Sequence, residues 1–180
     1  SFRSDEPLSM AYDKNQKLTA ATIVNEWGEE SIADVIFGFG EERYSRRIAK
    51  AIVEARERKS ITTALELGEI VKDAVPAAYR HGKTHPATKT FQALRIAVND
   101  ELGALTEGLE GAWEMLESGG RIAVISFHSI EDRIVKRRFA QWAKEGAGEL
   151  VSRKPIPPTD AEIAENPRAR SAKLRVILKN

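Results

Sequence analysis

The chain contains no cysteine, which excludes disulfides, thiolate zinc sites and cysteine nucleophiles together and suits a reducing compartment. No apolar run approaches the ~20 residues of a membrane span, and no charged-then-apolar leader opens the sequence. A cytoplasmic setting without a membrane partner is therefore the expectation. Low-complexity tracts and internal repeats are also missing. With 42% hydrophobic and 31% charged residues, the composition belongs to soluble globular proteins and not to disordered ones. Neither sign of charge dominates: the formal net charge is +1, so the total says nothing about partners.

The distribution of charge says more. Residues 1–42 hold nine acids against three bases, whereas residues 133–180 hold twelve bases against five acids. Residues 79–95 contain Arg80, Lys83, Lys89 and Arg95 and no acid. Basic clusters of this kind suit a polyanion, because each neutralised phosphate releases counterions. A solvated basic helix face is the plain alternative.

Periodicity supplies the organisation. Residues 1–17 are polar and aperiodic and read as a loop continuing from a larger body. Thr19 has the chemistry of a helix cap ahead of Ile23, Val24 and Trp27, and a second short helix is predicted over 30–39, stopped by Gly38 and Gly40. Within 41–57, Tyr44, Ile48, Ile52 and Ala55 recur at helical spacing as a buried stripe, while Arg43, Arg47 and Lys50 make a basic one. Thr62 and Thr63 precede a helix with Leu67, Ile70 and Val71 that Pro76 ends. From Phe91 to Leu116 apolar residues step by threes and fours, which predicts one long helix or two nearly continuous ones broken near 99–103. Gly119 and Gly120 close that pattern. Residues 121–127 then form a β-branched apolar run, the signature of a strand buried on both faces of a parallel sheet. Ser129 and Asp132 have capping-box spacing for a helix that follows at once, carrying Ile130, Ile134, Phe139 and Trp142. Residues 149–153 and 171–178 read as short terminal strands. A lone parallel strand cannot stand with apolar residues on both faces, so the sheet is expected to need neighbours from other sequence.

In an open α/β sheet, ligands collect beyond the carboxyl ends of the strands. Ser126, Phe127, His128 and Ser129 fall there, and the start of the next helix would offer backbone amides to an anion. The simpler alternative is that Ser129 caps the helix and His128 hydrogen-bonds within a loop. No Gly-x-Ser-x-Gly elbow surrounds the serines, which disfavours a hydrolase. Gly38-Phe39-Gly40 follows a helical pattern and lacks a third glycine, and Gly146 and Gly148 fail as a nucleotide loop in the same way. His81 and His85 would suit a metal only on a helix, which Gly82 and Pro86 oppose, so no metal ligand is assigned. Asn166-Pro-Arg-Ala-Arg-Ser171 joins a turn signal to Arg168 and Arg170, and Lys136, Arg137 and Arg138 extend that basic region. Tyr44, Tyr79 and Phe91 lie among the bases as candidate stacking residues, with core packing the better reading for Phe91. Trp113 and Trp142 are assigned to the core.

Three long strings, residues 85–102 (His-Pro-Ala-Thr-Lys-Thr-Phe-Gln-Ala-Leu-Arg-Ile-Ala-Val-Asn-Asp-Glu-Leu), 120–136 (Gly-Arg-Ile-Ala-Val-Ile-Ser-Phe-His-Ser-Ile-Glu-Asp-Arg-Ile-Val-Lys) and 165–175 (Glu-Asn-Pro-Arg-Ala-Arg-Ser-Ala-Lys-Leu-Arg), strongly resemble the MraW/RsmH family. Gly40-Glu-Glu-Arg43, residues 46–54 and Ile61-Thr-Thr63 extend the likeness over essentially the whole chain. The family methylates the exocyclic amine of a cytosine in small-subunit ribosomal RNA.

The resemblance implies an α/β fold: the C-terminal part of a Rossmann-like methyltransferase core plus a mostly α-helical insertion. On that basis residues 1–17 continue from the missing upstream core, 18–85 are the helical insertion that helps to recognise substrate, and 86–180 return to the core. The implied cofactor is S-adenosylmethionine, with its main binding residues upstream of Ser1, so no cofactor residue is assigned here. The implied partner is small-subunit ribosomal RNA or the small ribosomal subunit, and a homodimer is left open. Because the cytosine amine is a poor nucleophile and the sulfonium an activated donor, in-line placement with an acceptor polarising the amine would supply much of the rate. The resemblance places Ser126, His128 and Ser129 on the rim of the methyl-transfer pocket, with Arg95, Asn99, Glu131 and Asp132 supporting it. Arg43, Arg47, Lys50, Arg80, Lys136, Arg168 and Arg170 would face RNA. The chain departs from the family at Pro7-Leu-Ser-Met-Ala-Tyr-Asp13, where Ser9 and Ala11 replace an acid and an arginine, and the stretch 142–155 looks short. A non-catalytic RNA-binding module and a half-enzyme completed by another polypeptide are the competing readings.

Overall fold

A computed structural model describes residues 5–82 and 84–180; residues 1–4 and Lys83, one of the bases noted above, lie outside the described part. The chain divides into two compact units, Ser1–Glu101 and Leu102–Asn180.

The first unit is helical. Thr19 caps α1 (Ala20–Glu26) through its hydroxyl, which accepts from the Thr22 amide. Helix α2 (Glu29–Gly40) runs through Gly38 and stops one residue past Gly40, where Glu41 adopts the left-handed conformation with φ 50°. Gly40 is required for a different reason: a Cβ there would lie 2.6 Å from the Lys89 carbonyl oxygen, so only glycine lets α2 approach α6 (Thr88–Asn99) this closely. In α3 (Ser45–Arg56), Ile48 and Ile52 are fully buried and Tyr44 and Ala55 half-buried, as the stripe predicts. Helix α4 (Ala64–Ala74) begins with a complete Thr63–Glu66 capping box, and Glu66 is held at a pKa of about 2 by Lys59 and the Thr62 and Thr63 amides. Pro76 caps the short α5 (Ala77–Arg80), inside what the sequence leaves as loop. Ile23, Ile32, Ile36, Ile48, Ile52, Leu67 and Leu94 form the core. The opening segment is less free than its polarity suggests. Leu8 is 2% exposed in that core, Leu8 and Ala64 amides bond to Thr62 and Glu6 carbonyls, and Asn99 bonds to Met10 and Tyr12.

The predicted break in the long helix lies at Asp100, left-handed with φ 45°, between α6 and α7 (Glu101–Met115). In the second unit, β1 (Arg121–Ser126), α8 (Ser129–Lys144), β2 (Gly148–Leu150), α9 (Asp160–Glu165), a 3-10 turn (Pro167–Ser171) and β3 (Lys173–Lys179) follow. The sheet order is β1-β3-β2 with every pairing antiparallel, Ile122 opposite Ile177 and Val124 opposite Arg175. Ile122, Val124 and Ile177 pack with Val135, Phe139 and Trp142 of α8 and with Leu105, Leu109 and Trp113 of α7. The Trp113 and Trp142 rings stack at 4.1 Å. Lys179 ties off the end of α7 by donating to the carbonyls of Trp113 and Leu116.

Two expectations are corrected here. The neighbour of β1 among the described residues is antiparallel, because β3 returns beside it. Nor is β1 buried on both faces: Arg121, Ala123 and Ile125 alternate with the half-buried Ile122 and Val124 and are exposed, Ile125 by 59%. Helix α8 covers one face of the sheet only. The apolar run is real, but half of it meets no cover within this unit.

Candidate functional site

In the second unit, the strand end and the start of α8 carry most of the residues that the sequence singles out. Helix α8 is capped by His128, one residue before the expected Ser129. The His128 Nδ1 accepts from the Glu131 amide at 3.3 Å, and Glu131 Oε2 accepts from the Phe127 and His128 amides at 2.9 and 3.3 Å. Nε2 of His128 also lies 3.3 Å from Glu131 Oε1. The reciprocal box therefore starts at His128, with Glu131 in the role expected of Asp132. It occupies the Phe127, His128 and Glu131 amides at the tip of this helix. Ser126 is 4% exposed and its hydroxyl donates to the Lys173 carbonyl, while Ser129 sits exposed on the first turn.

Asp132 turns inward. It is 8% exposed, accepts from Arg175 Nε at 2.7 Å and from Arg175 and Lys173 nitrogens at 3.2 and 3.3 Å, and Arg175 is 9% exposed. Hydrogen bonding and charge from Arg175 hold this carboxyl below the usual range against the opposing effect of burial. The pair clamps the first turn of α8 to β3. Arg168 and Arg170 stand exposed on the 3-10 turn and Lys136 on α8, so these three charges are displayed to solvent.

In the first unit, Arg43, Arg47 and Lys50 are exposed along the start of α3. Arg80 is turned to structure: its guanidinium donates to the Val75 and Asp73 carbonyls at the end of α4. Arg95 makes a two-pronged bond to Glu101 at 2.7 and 2.9 Å, and Asn99 accepts from the Tyr12 amide, so both fasten residues 10–12 and 101 to α6.

The most ordered polar arrangement in this unit was not foreseen as a unit. Glu42 is fully buried; one carboxylate oxygen accepts from the Tyr79 hydroxyl at 2.6 Å and the other from the Tyr44 amide at 2.9 Å. The Tyr44 and Tyr79 rings meet edge to face at 5.0 Å, and Arg43 lies over both, 4.8 and 5.2 Å from their centres. Beside them opens a cleft of about 450 Å³. Burial, followed by the bond to Glu42, pushes the Tyr79 phenol up to about 12. A raised phenol pKa favours the neutral form in the folded state, so its contribution to stability is complete below pH ~10 and lost as pH rises toward 12. Absorbance titration of the three tyrosines is expected to show one phenolate step near pH 12 that Tyr79→Phe removes.

Two places among the described residues fit a methyl-donor cofactor poorly: at the strand end the Phe127 and His128 amides are taken by the His128–Glu131 box, and the cleft beside Tyr79 carries Arg43 and Lys89, whose charges repel a sulfonium.

Comparison with known proteins matches residues 1–180 to the MraW methylase family. The chain is 52% identical to a protein of Symbiobacterium thermophilum named ribosomal RNA small subunit methyltransferase H, over 99% of this chain and 61% of that protein. It is 55% identical to one of the same name from Synechococcus elongatus, over 98% of this chain and 57% of the relative, and 51% identical to one from Persephonella marina, over 98% and 60%. The chain thus spans about three fifths of the length of these relatives.

Proposed function

Because the chain belongs to the MraW methylase family, we propose that the protein carrying it methylates the exocyclic amine of a cytosine in small-subunit ribosomal RNA, and that these residues alone are inactive. The observation that carries this reading is the family match over the entire chain, at about half identity to relatives named ribosomal RNA small subunit methyltransferase H. S-adenosylmethionine would supply the activated methyl group, held mainly by the part of the relatives' length that this chain does not span.

The structural support is the uncovered half of the sheet. Strand β1 pairs with β3 on one edge, and the face bearing Ala123 and Ile125 is exposed. A Rossmann-like core would continue from that free edge, adding the parallel strands absent here, with helices over the open face. The helical residues before it would then act as an insertion that grips RNA. In this arrangement Ser126, His128 and Ser129 stand at the strand end where a pocket rim would form, and Glu131 and Asp132 fix that turn from behind. Asn99 holds α6 to the segment 10–12, and Arg95 fixes Glu101 beside it. Exposed Arg43, Arg47, Lys50, Lys136, Arg168 and Arg170 would meet phosphates, with Arg80 better suited to bracing α4. The setting is cytoplasmic and the assembled enzyme is compatible with a homodimer.

Calorimetric titration tests the division of labour: the 180-residue chain should give no measurable heat with S-adenosylmethionine, whereas the full-length protein should bind it and label small subunits from a tritiated donor. Arg170→Ala in the full-length protein should lower labelling severalfold without changing cofactor affinity. Tight cofactor binding by the chain itself, or an unlabelled subunit with full-length protein, would refute the proposal.

A further inference from the structure

The cleft beside Tyr79 is built more expensively than packing requires. Two tyrosines can pack edge to face without an acid, yet a fully buried carboxylate, Glu42, is spent on fixing them, one oxygen on the Tyr79 hydroxyl and one on the Tyr44 amide. Burying a carboxylate costs several kcal/mol unless it is well bonded, so such a group marks a geometry that must be held. What it holds is an aromatic wall topped by Arg43, an exposed side chain whose described contacts are the two rings and which has no ion pair among the described residues. Lys89, which also lines the cleft, donates to the Glu41 carbonyl at 3.0 Å, and an ammonium has two further donors. His85 and Pro76 also line it, and among the described residues no carboxylate does. The 450 Å³ volume falls within the range of small-ligand sites.

Resting on the RNA-directed reading above, we propose that this cleft binds one unpaired nucleotide of the RNA substrate, its base against Tyr79 and Tyr44 and its phosphate between Arg43 and Lys89. A paired, stacked base cannot present its face to an aromatic wall, so the substrate class is a single-stranded or looped segment and not duplex. The path continues: a second hollow of about 300 Å³ shares Arg43 and Tyr44 with the first and adds Phe37, Arg46 and Arg47, which provides charge for the next phosphate. Glu42 is the positioning residue of this site; it touches the tyrosines and not the ligand.

The test is anisotropy titration of the 180-residue chain with a short labelled oligoribonucleotide, single-stranded or annealed to its complement, and with cytidine monophosphate as competitor. Single strands should bind more tightly than duplex, and the free mononucleotide should compete only weakly. Tyr79→Ala should weaken single-strand binding about tenfold or more. Arg43→Gln, at an exposed position where folding is not at stake, should weaken it severalfold and lower the salt slope by about one. Ultraviolet crosslinking of the unaltered chain should attach RNA to the peptides holding Tyr44 or Tyr79. If duplex binds as well as single strand, or if both variants bind like the unaltered chain with crosslinks elsewhere, the cleft is not this site. Failure of the unaltered chain to bind any RNA would overturn the RNA-directed reading along with it.

Discussion

Asp132→Ala is expected to destabilise the chain by about 3–5 kcal/mol, the range for removing one partner of a buried ion pair. Arg175 is 9% exposed and bonded to Asp132 through two nitrogens, and without the carboxylate its charge stays buried with no compensation. Lys173, half in water with its side chain 43% exposed, loses little. Urea denaturation followed by far-ultraviolet dichroism would measure the loss as a lower midpoint at constant slope. A double replacement, Asp132→Leu with Arg175→Met, should recover most of it, because an apolar pair of similar volume has no charge to desolvate. The pH dependence has a definite sign. The Asp132 carboxyl is held below its ordinary pKa, so its contribution is present above pH ~4 and lost as the pH falls through the depressed value. Below that the variant and the unaltered chain should converge in stability. A loss under ~1 kcal/mol at neutral pH would mean that the clamp between α8 and β3 is not what the geometry indicates.

The same residue illustrates what a sequence reveals and what it withholds. A carboxylate near the first turn of α8 was legible as capping chemistry, and helix caps were legible elsewhere, at Thr19 and Thr63, because capping is local: the donor, the acceptor and the signal all lie within four residues. A break near 99–103, as one of two readings of the long helix, and the onset of β1 were legible for the same reason; the left-handed turn at Asp100 was not. The actual cap of α8 is His128, however, and Asp132 is committed to Arg175, 43 positions away. Glu42 was missed more completely. Periodicity assigns burial by counting apolar residues, so an acid beside Glu41 reads as solvent-facing, and nothing in the turn between α2 and α3 reveals that Tyr79, 37 positions on, donates to it. Helix α9 had a local signal, Thr159 with Glu162 three positions later, that a search for apolar stripes passes over because none of its residues is buried. Antiparallel pairing of β1 with β3 had no such signal: the two strands are joined only by register across some fifty residues.

Ile125→Asp separates the chain as it stands from the protein proposed to carry it. In the 180-residue chain Ile125 is 59% exposed and faces away from α8, so a charge there meets water and should change stability by no more than ~0.5 kcal/mol. Removing an apolar side chain from an exposed sheet face should even make the chain more soluble. In the full-length protein, on the proposed continuation of the sheet, the same position lies between β1 and a covering helix. A carboxylate placed there has no partner, and the cost should be on the order of 3 kcal/mol or more, seen as a collapsed yield of soluble protein or a much lower urea midpoint. Lys136→Ala, on the exposed side of α8, serves as the control that should be mild at both lengths. The comparison isolates the one structural premise of the proposed function, since it needs neither cofactor nor RNA. Equal tolerance of Ile125→Asp at both lengths would mean that the open face of this sheet is finished as it is, and that the remaining two fifths of the relatives' length must be attached somewhere else.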